Sequence, residues 1–190
     1  MTETSTQKTI LEELKTTIEG LTEGLKSYPI RDLVKHAEKF GPYLKQQRLE
    51  TNQVRKFLDA INQIKAQLAQ QDEDEILLWE LKHIQNQADK EKDEIKKIEN
   101  ISEQNLLVEL KKIQNQADLK KSKLLFTKIE ADVVLLKPKL AYAAARQRST
   151  RPLHDVMSAA IDKVYSKEDF ERLVQLLESI IAYHKAEGGK

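Results

Sequence analysis

The sequence contains no cysteine, and its 190 residues include only five glycines and four prolines. The absence of cysteine excludes disulfides, thiolate metal sites and cysteine catalysis. The glycines stand at positions 20, 24, 41, 188 and 189, so they form neither a phosphate-binding loop nor a dinucleotide fingerprint. No Gly-x-Ser-x-Gly or His-Glu-x-x-His motif is present. The sequence therefore offers few routes to catalysis.

Long apolar runs are also missing. The longest unbroken run, residues 140–145, has six residues, whereas a membrane-spanning helix needs about 20. Residues 1–6 are polar and lack the basic and apolar regions of a signal peptide. We expect a soluble, cytoplasmic protein without a membrane partner.

The fold class follows from residues 43–137, which contain neither glycine nor proline. Strands need frequent turns that recruit these two residues, and the stretch is rich in the helix formers Leu, Lys, Gln, Glu and Ala. One straight helix of this length would run about 140 Å, against a radius of gyration of roughly 16 Å for a compact chain of this size. The sequence therefore predicts an all-α fold whose middle folds back or protrudes.

Helix boundaries follow from capping and breaking residues. An apolar stripe beginning at Ile10 predicts a first helix that ends at Tyr28-Pro29, and a second stripe from Ile30 is expected to stop at Gly41-Pro42. Thr51 is the predicted N-cap of a third helix. Ser166 begins a capping-box pattern before the last helix, for which Gly188-Gly189 supplies the C-cap.

The middle of the chain holds an internal repeat. Glu80-Leu-Lys-His-Ile-Gln-Asn-Gln-Ala-Asp89 recurs as Glu109-Leu-Lys-Lys-Ile-Gln-Asn-Gln-Ala-Asp118, with one difference in ten positions. Each copy has the apolar spacing of a coiled-coil seam. We favour a helical hairpin that turns near residues 100–105, and one long helix is the alternative.

These patterns divide the chain into four parts. Residues 1–9 are predicted to be a disordered tail, 10–69 the N-terminal helices of a small bundle, 70–123 an inserted helical extension, and 124–190 the C-terminal helices of the same bundle.

The four histidines lack metal-ligand spacing. His154-Asp155 is the one acid–base pair that is adjacent in sequence. A hydrolase that uses this pair is an alternative interpretation of the chain.

Charge is sorted along the chain although the net charge is only +1. Residues 133–154 carry five basic residues and no acid, 43–69 have a net charge of +3, and 70–100 have a net charge of −5. Polar and basic side chains that suit phosphate and ribose fall in two clusters. The candidate RNA-binding residues are Arg48, Asn52, Gln53, Arg55 and Lys56 in the first cluster, and Lys137, Lys139, Arg146 and Arg148 in the second. Composition alone leaves open whether these clusters bind nucleic acid or are solvated surface.

Three segments in order resemble a known family. They are Thr51-Asn-Gln-Val-Arg-Lys-Phe-Leu58, Leu135-Leu-Lys-Pro-Lys-Leu-Ala-Tyr-Ala-Ala-Ala-Arg146, and the helix from Phe170 that ends in Ala182-Tyr-His-Lys-Ala-Glu-Gly-Gly189. Together they resemble the small subunit of the type III-A CRISPR effector, the Csm complex. The resemblance covers residues 28–69 and 124–190. Ala145 stands where the family pattern has glycine, and the extra length of this chain coincides with residues 70–123.

The resemblance implies a helical bundle without catalytic activity or a cofactor. Several copies would stack beside the guide-binding backbone subunit, contact the backbones of guide RNA and target RNA, and reach the large nuclease–cyclase subunit in antiviral defence. The alternative is a structural coiled-coil scaffold that binds no nucleic acid. The internal repeat and the nearly equal numbers of basic and acidic residues support this alternative.

Overall fold

The computed structural model describes residues 2–70, 75–97 and 103–189. These residues form helices joined by short turns, and none of them is in a strand, so the all-α prediction is confirmed. Short 3₁₀ turns lie at Leu25–Ser27, Thr51–Val54 and Arg148–Thr150. The α-helices are α1 Thr2–Glu19, α2 Ile30–Gln46, α3 Arg55–Gln70, α4 Glu75–Lys96, α5 Glu103–Thr127, α6 Glu130–Val134, α7 Leu136–Arg146, α8 Arg151–Ile161 and α9 Lys167–Ala186.

The first helix differs from its prediction at both ends. It begins at Thr2, within the predicted tail, because adding a residue to an existing helix costs little. It ends at Glu19 because a tertiary contact holds the next segment apart. Gly24 has φ +87°, and the Asp169 carboxylate of α9 accepts the Lys26 backbone N–H at 2.7 Å.

The predicted stop at Gly41-Pro42 is wrong, since α2 continues through both residues to Gln46. Gly41 faces α9 so closely that a Cβ would lie 2.6 Å from the backbone nitrogen of His184. The glycine permits this close helix crossing rather than breaking the helix. Pro42 lies inside α2, although a proline cannot donate a backbone hydrogen bond.

The caps of α9 agree with the sequence. Ser166 accepts a hydrogen bond from the Asp169 backbone N–H at 3.2 Å. At the other end Gly188 has φ +81°, and the Gly189 N–H donates to the His184 carbonyl at 3.0 Å. This pattern is a Schellman motif, in which the left-handed residue is usually glycine. Thr51, by contrast, lies inside a 3₁₀ turn whose N-cap is Glu50, so its predicted capping role is wrong.

One hydrophobic cluster joins α1, α2, α3, the C-terminal end of α5 and α6–α9. Its largest fully buried side chains include Tyr28, Phe40, Phe57 and Phe170. The cluster has no member between Leu68 and Phe126 among the described residues. Of the described helices, none is both long and apolar enough to cross a membrane.

The two copies of the repeat lie on α4 and α5, which pack against each other around Ala88, Ile113 and Ala117. This packing supports the hairpin interpretation, although residues 98–102, at the predicted turn, lie outside the described part of the chain. Lys92 bonds to Gln114, and Lys121 bonds to Gln85. Gln114 and Lys121 each lie 29 residues after Gln85 and Lys92, the same offset as between the two copies, so the two bonds are related by a pseudo-twofold axis.

Candidate nucleic-acid interface

A surface cleft of about 240 Å³ lies between the start of α3 and the outer face of α7. Residues from both basic segments of the sequence meet here, although about 80 positions separate them. The 3₁₀ turn and α3 supply one wall, and α7 supplies the other. The cleft is lined by Asn52, Gln53, Val54, Lys56, Phe57, Lys139, Tyr142, Ala143, Arg146 and Gln147.

Helix periodicity sets the α7 wall. Positions 139, 142, 143 and 146 share one face because they are spaced by three and four residues. The adjacent face carries Leu136 and Leu140, which are fully buried in the core. On the other wall, Val54 and Phe57 are each only 1% exposed, so they are apolar floor rather than rim.

Gln53 and Asn52 are held in place by hydrogen bonds. The Gln53 side-chain oxygen accepts from the Ser149 hydroxyl at 2.8 Å and from the Glu50 N–H at 3.3 Å. Asn52 donates its side-chain amide to the Glu50 carboxylate at 3.3 Å. These bonds fix the 3₁₀ turn against the Arg148–Thr150 turn, so the wall of the cleft is preorganised.

The cleft is electropositive. Lys56, Lys139 and Arg146 line it, and its lining includes no carboxylate in the described part of the chain. The Arg146 guanidinium lies 5.6 Å from the centre of the Tyr142 ring and donates to the Tyr142 hydroxyl at 3.2 Å. Such a lining suits an anion, and the glutamine and asparagine amides suit a sugar–phosphate backbone.

Four candidate residues lie outside this lining. Lys137 forms an ion pair with Asp162 at the end of α8, with Nζ–O distances of 2.7 and 2.8 Å. Arg55 is exposed at the first position of α3, and Arg148 is exposed in its 3₁₀ turn. Arg48 follows α2 with φ +59°, the left-handed region. The structure therefore gathers Asn52, Gln53, Lys56, Lys139 and Arg146 and leaves these four elsewhere.

Tyr142 was missed as a candidate, although it lies within the Leu135–Arg146 motif. A signal was present, because Tyr142 stands three residues after Lys139 and four before Arg146, on their helix face. Its side chain is 58% exposed. Gln147 and Ser149 carried no comparable signal, since only the packing of the two 3₁₀ turns brings them to the site.

His154 and Asp155 are hydrogen-bonded on α8, with Nδ1 2.9 Å from the carboxylate, and Ser158 Oγ lies 3.4 Å from His154 Nε2. Two consecutive contacts among these three residues resemble a hydrolase triad in composition. None of the three residues lines the cleft between α3 and α7. They lie within two turns of one helix, whose backbone N–H groups are used by the helix itself and supply no oxyanion hole. We assign them no catalytic role.

The fold and the cleft define a small all-α protein with a preorganised cationic surface site. Its sequence matches the family model Csm2 Type III-A over residues 27–105 and 79–190. The chain belongs to this family, the small subunit of the type III-A CRISPR Csm complex. The matched segments run through residues 70–123 and so extend beyond the stretches in which the resemblance is visible. Searches of curated proteins and of solved structures found no match.

Proposed function

We propose that this subunit is a non-catalytic RNA-binding component of the Csm complex, and that the α3–α7 cleft contacts the backbone of guide or target RNA. One observation carries the proposal. The two basic segments, far apart in sequence, form one preorganised cleft with three cations on its walls. Five of the nine candidate residues meet there.

A subunit that serves any guide must bind RNA without reading its sequence. Lysine and arginine on rigid helices meet this need, because phosphate contacts supply affinity but no base discrimination. Lys56 lies on α3, and Lys139 and Arg146 lie on α7, one helix turn or more apart. Their spacing suits a track of successive phosphates rather than one bound anion.

Copies of the subunit would stack so that successive clefts follow the RNA. Val134 and Leu135 immediately precede the cleft helix and form an adjacent apolar pair, 57% and 51% exposed. They suit contact with a neighbouring copy or with the guide-binding backbone subunit. The large nuclease–cyclase subunit would adjoin the end of the row, in the cytoplasm.

The test is the double variant Lys56→Gln/Lys139→Gln. Affinity for two unrelated single-stranded RNAs is measured across salt concentration, with the free full-length chain and with the complex assembled on the backbone subunit and a guide RNA. We expect equal weakening for both RNAs and a salt slope lower by about 1.4, because each phosphate contact contributes about 0.7. Lys137 is avoided, since its ion pair with Asp162 would confuse the result.

The matched control is Lys111→Gln/Lys123→Gln on α5, which removes the same charge from exposed positions outside the cleft. Its slope should equal that of the wild type. Weakening that depends on RNA sequence would indicate base readout instead. If no RNA is retained at low salt, either by the free chain or through this subunit in the complex, the coiled-coil scaffold is the better interpretation.

A further inference from the structure

Tyr142 is an exposed aromatic ring in a cleft otherwise equipped for phosphate. The hydrophobic core does not require it, because α7 packs inward through Leu136 and Leu140 while Tyr142 remains 58% exposed. Its hydroxyl is held by Arg146 at 3.2 Å, and the guanidinium lies 5.6 Å from the ring centre. The bond from Arg146 thus fixes the orientation of the ring, and most of the side chain remains exposed to solvent.

Contact with such a ring adds little to the binding of a phosphate but much to the binding of a nucleobase. Stacking of bases on aromatic side chains, beside a cationic track for the backbone, is how single-stranded nucleic acid is bound without sequence preference. Every base has a π-face, so a tyrosine platform tolerates any sequence. In an A-form duplex the faces of the bases are stacked on one another and cannot reach the ring.

From this geometry we infer that the cleft takes an unpaired nucleotide, with its base on the Tyr142 ring and its phosphates on Lys56, Lys139 and Arg146. This inference rests on the proposed function and deepens it, because it specifies RNA that is not paired at the point of contact. The cleft volume of about 240 Å³ and the apolar floor of Val54 and Phe57 suit one base rather than a helix groove.

The experiment compares three probes of equal length: a single-stranded RNA, the same strand with abasic ribose throughout, and a duplex. They are bound to the full-length chain, free and in the assembled complex. We expect the intact strand to bind more tightly than the abasic strand by about fivefold to a hundredfold, the range for one stacked base. The abasic strand and the duplex should bind through phosphates alone.

Two substitutions at one position sharpen the test. Tyr142→Ala should abolish the preference for the intact strand and leave abasic binding within twofold. Tyr142→Phe keeps the ring and loses only the bond to Arg146, so it should retain most of the preference. Because Tyr142 is exposed, both variants should fold, which circular dichroism and thermal melting verify.

Each failure has a distinct meaning. Equal binding of intact and abasic strands by the wild type would overturn stacking and leave the phosphate contact standing. A preference that survives Tyr142→Ala would overturn the assignment to this ring. Absence of binding to all three probes, in the free chain and in the complex, would overturn the proposed function and this inference together.

Discussion

Arg48 holds a backbone conformation that is unfavourable for an L-amino acid. Its φ is +59°, and it follows α2 in a Schellman motif, in which the Leu49 N–H donates to the Leu44 carbonyl at 3.0 Å. Helix α9 ends in the same way but places Gly188 at the equivalent position. A side chain in this region costs roughly 1–2 kcal/mol, so Arg48 is kept at some expense of stability.

We therefore predict that Arg48→Gly raises the free energy of unfolding by roughly 0.5–1 kcal/mol, since relief of the strain exceeds the entropy that glycine adds to the unfolded chain. Urea denaturation measures the change. Arg48→Lys retains the strain and should leave stability unchanged. Gly188→Ala should destabilise by about 1 kcal/mol, because a Cβ there meets no closer atom than Lys45 Nζ at 3.8 Å and only φ is unfavourable. Destabilisation by Arg48→Gly would contradict the argument.

Buried His184 illustrates how one residue organises its surroundings. It is fully buried, and its Nε2 donates to the Leu49 carbonyl at 2.9 Å. Gly189 lies so close that a Cβ would be 2.1 Å from the ring. The paired glycines after α9 therefore have different tasks, since Gly188 supplies a left-handed turn and Gly189 supplies space for the imidazole.

Between elements, α2 and α9 cross closely at Gly41. The duplicated segments of α4 and α5 show a different kind of packing. Their equivalent side chains, Ile84 and Ile113 or Ala88 and Ala117, meet across one seam. Each copy of the repeat thus packs against the other in antiparallel orientation, and these contacts hold α4 and α5 as a hairpin.

A buried polar contact joins the hairpin to the bundle. The buried Ser122 of α5 donates a hydrogen bond to the Glu168 carboxylate in the first turn of α9. Burial by itself raises the pKa of Glu168. The hydrogen bonds from Ser122, from its own backbone and from Ser166 lower this pKa by more than burial raises it, so the pKa lies below the usual 4.5. The contact therefore stabilises the ionised form.

We predict that Ser122→Ala lowers the free energy of unfolding by about 1 kcal/mol at pH 7, the low end for a charged acceptor because Glu168 is partly exposed. As the pH falls, Glu168 takes up its proton in the unfolded chain before it does so in the folded chain. The contribution of the bond is therefore complete above pH 4.5 and is lost as the pH falls through the lower pKa of Glu168 in the folded state. The difference between variant and wild type, measured by denaturation from pH 7 to pH 3, should shrink accordingly.

Thr127→Ala is the control for that series. Thr127 donates to the Lys123 carbonyl of its own helix, at 2.9 Å, and no carboxylate takes part in that bond. Its effect should be small and independent of pH. A Ser122→Ala effect that stays constant below pH 4.5 would show that the bond does not depend on an ionised Glu168.

In the whole molecule, the bundle and the hairpin have separate hydrophobic clusters. Among the described residues the bundle cluster has no member between Leu68 and Phe126, and the hairpin cluster contains Ala88, Ile113 and Ala117. The hairpin is consequently predicted to be dispensable for folding of the bundle. The small cluster and the polar seam of α4 and α5 contribute little to the main core.

Replacing residues 72–120 with a short flexible linker tests this prediction while keeping Ser122 and Phe126. We expect one cooperative thermal transition whose midpoint falls by no more than about 8 °C, equivalent to roughly 2 kcal/mol. Phe126→Ala in the full chain is the comparison, since emptying a core position costs about 3–5 kcal/mol. Loss of the cooperative transition on linker replacement would show that the hairpin is part of the core.

The local sequence determined the helical class, the two-copy repeat and both caps of α9. The reason is that these features depend on contacts within a few residues: the long absence of glycine and proline, the hydroxyl of Ser166, and the left-handed freedom of Gly188. The sequence also showed that the cleft residues belong to two basic segments, because runs of charge can be read without tertiary information. These residues are Asn52, Gln53, Lys56, Lys139 and Arg146.

Only the tertiary structure decided which of these charges meet. Lys137 and Lys139 look equivalent in sequence, but Lys137 pairs with Asp162, just after α8, and Lys139 lines the cleft. Gly41-Pro42 looks like a helix stop, but close packing on α9 carries the helix through it. In each case the outcome depends on a neighbour more than 20 residues away. Local spacing contains no information about such a neighbour, and long-range packing overrides the local preference.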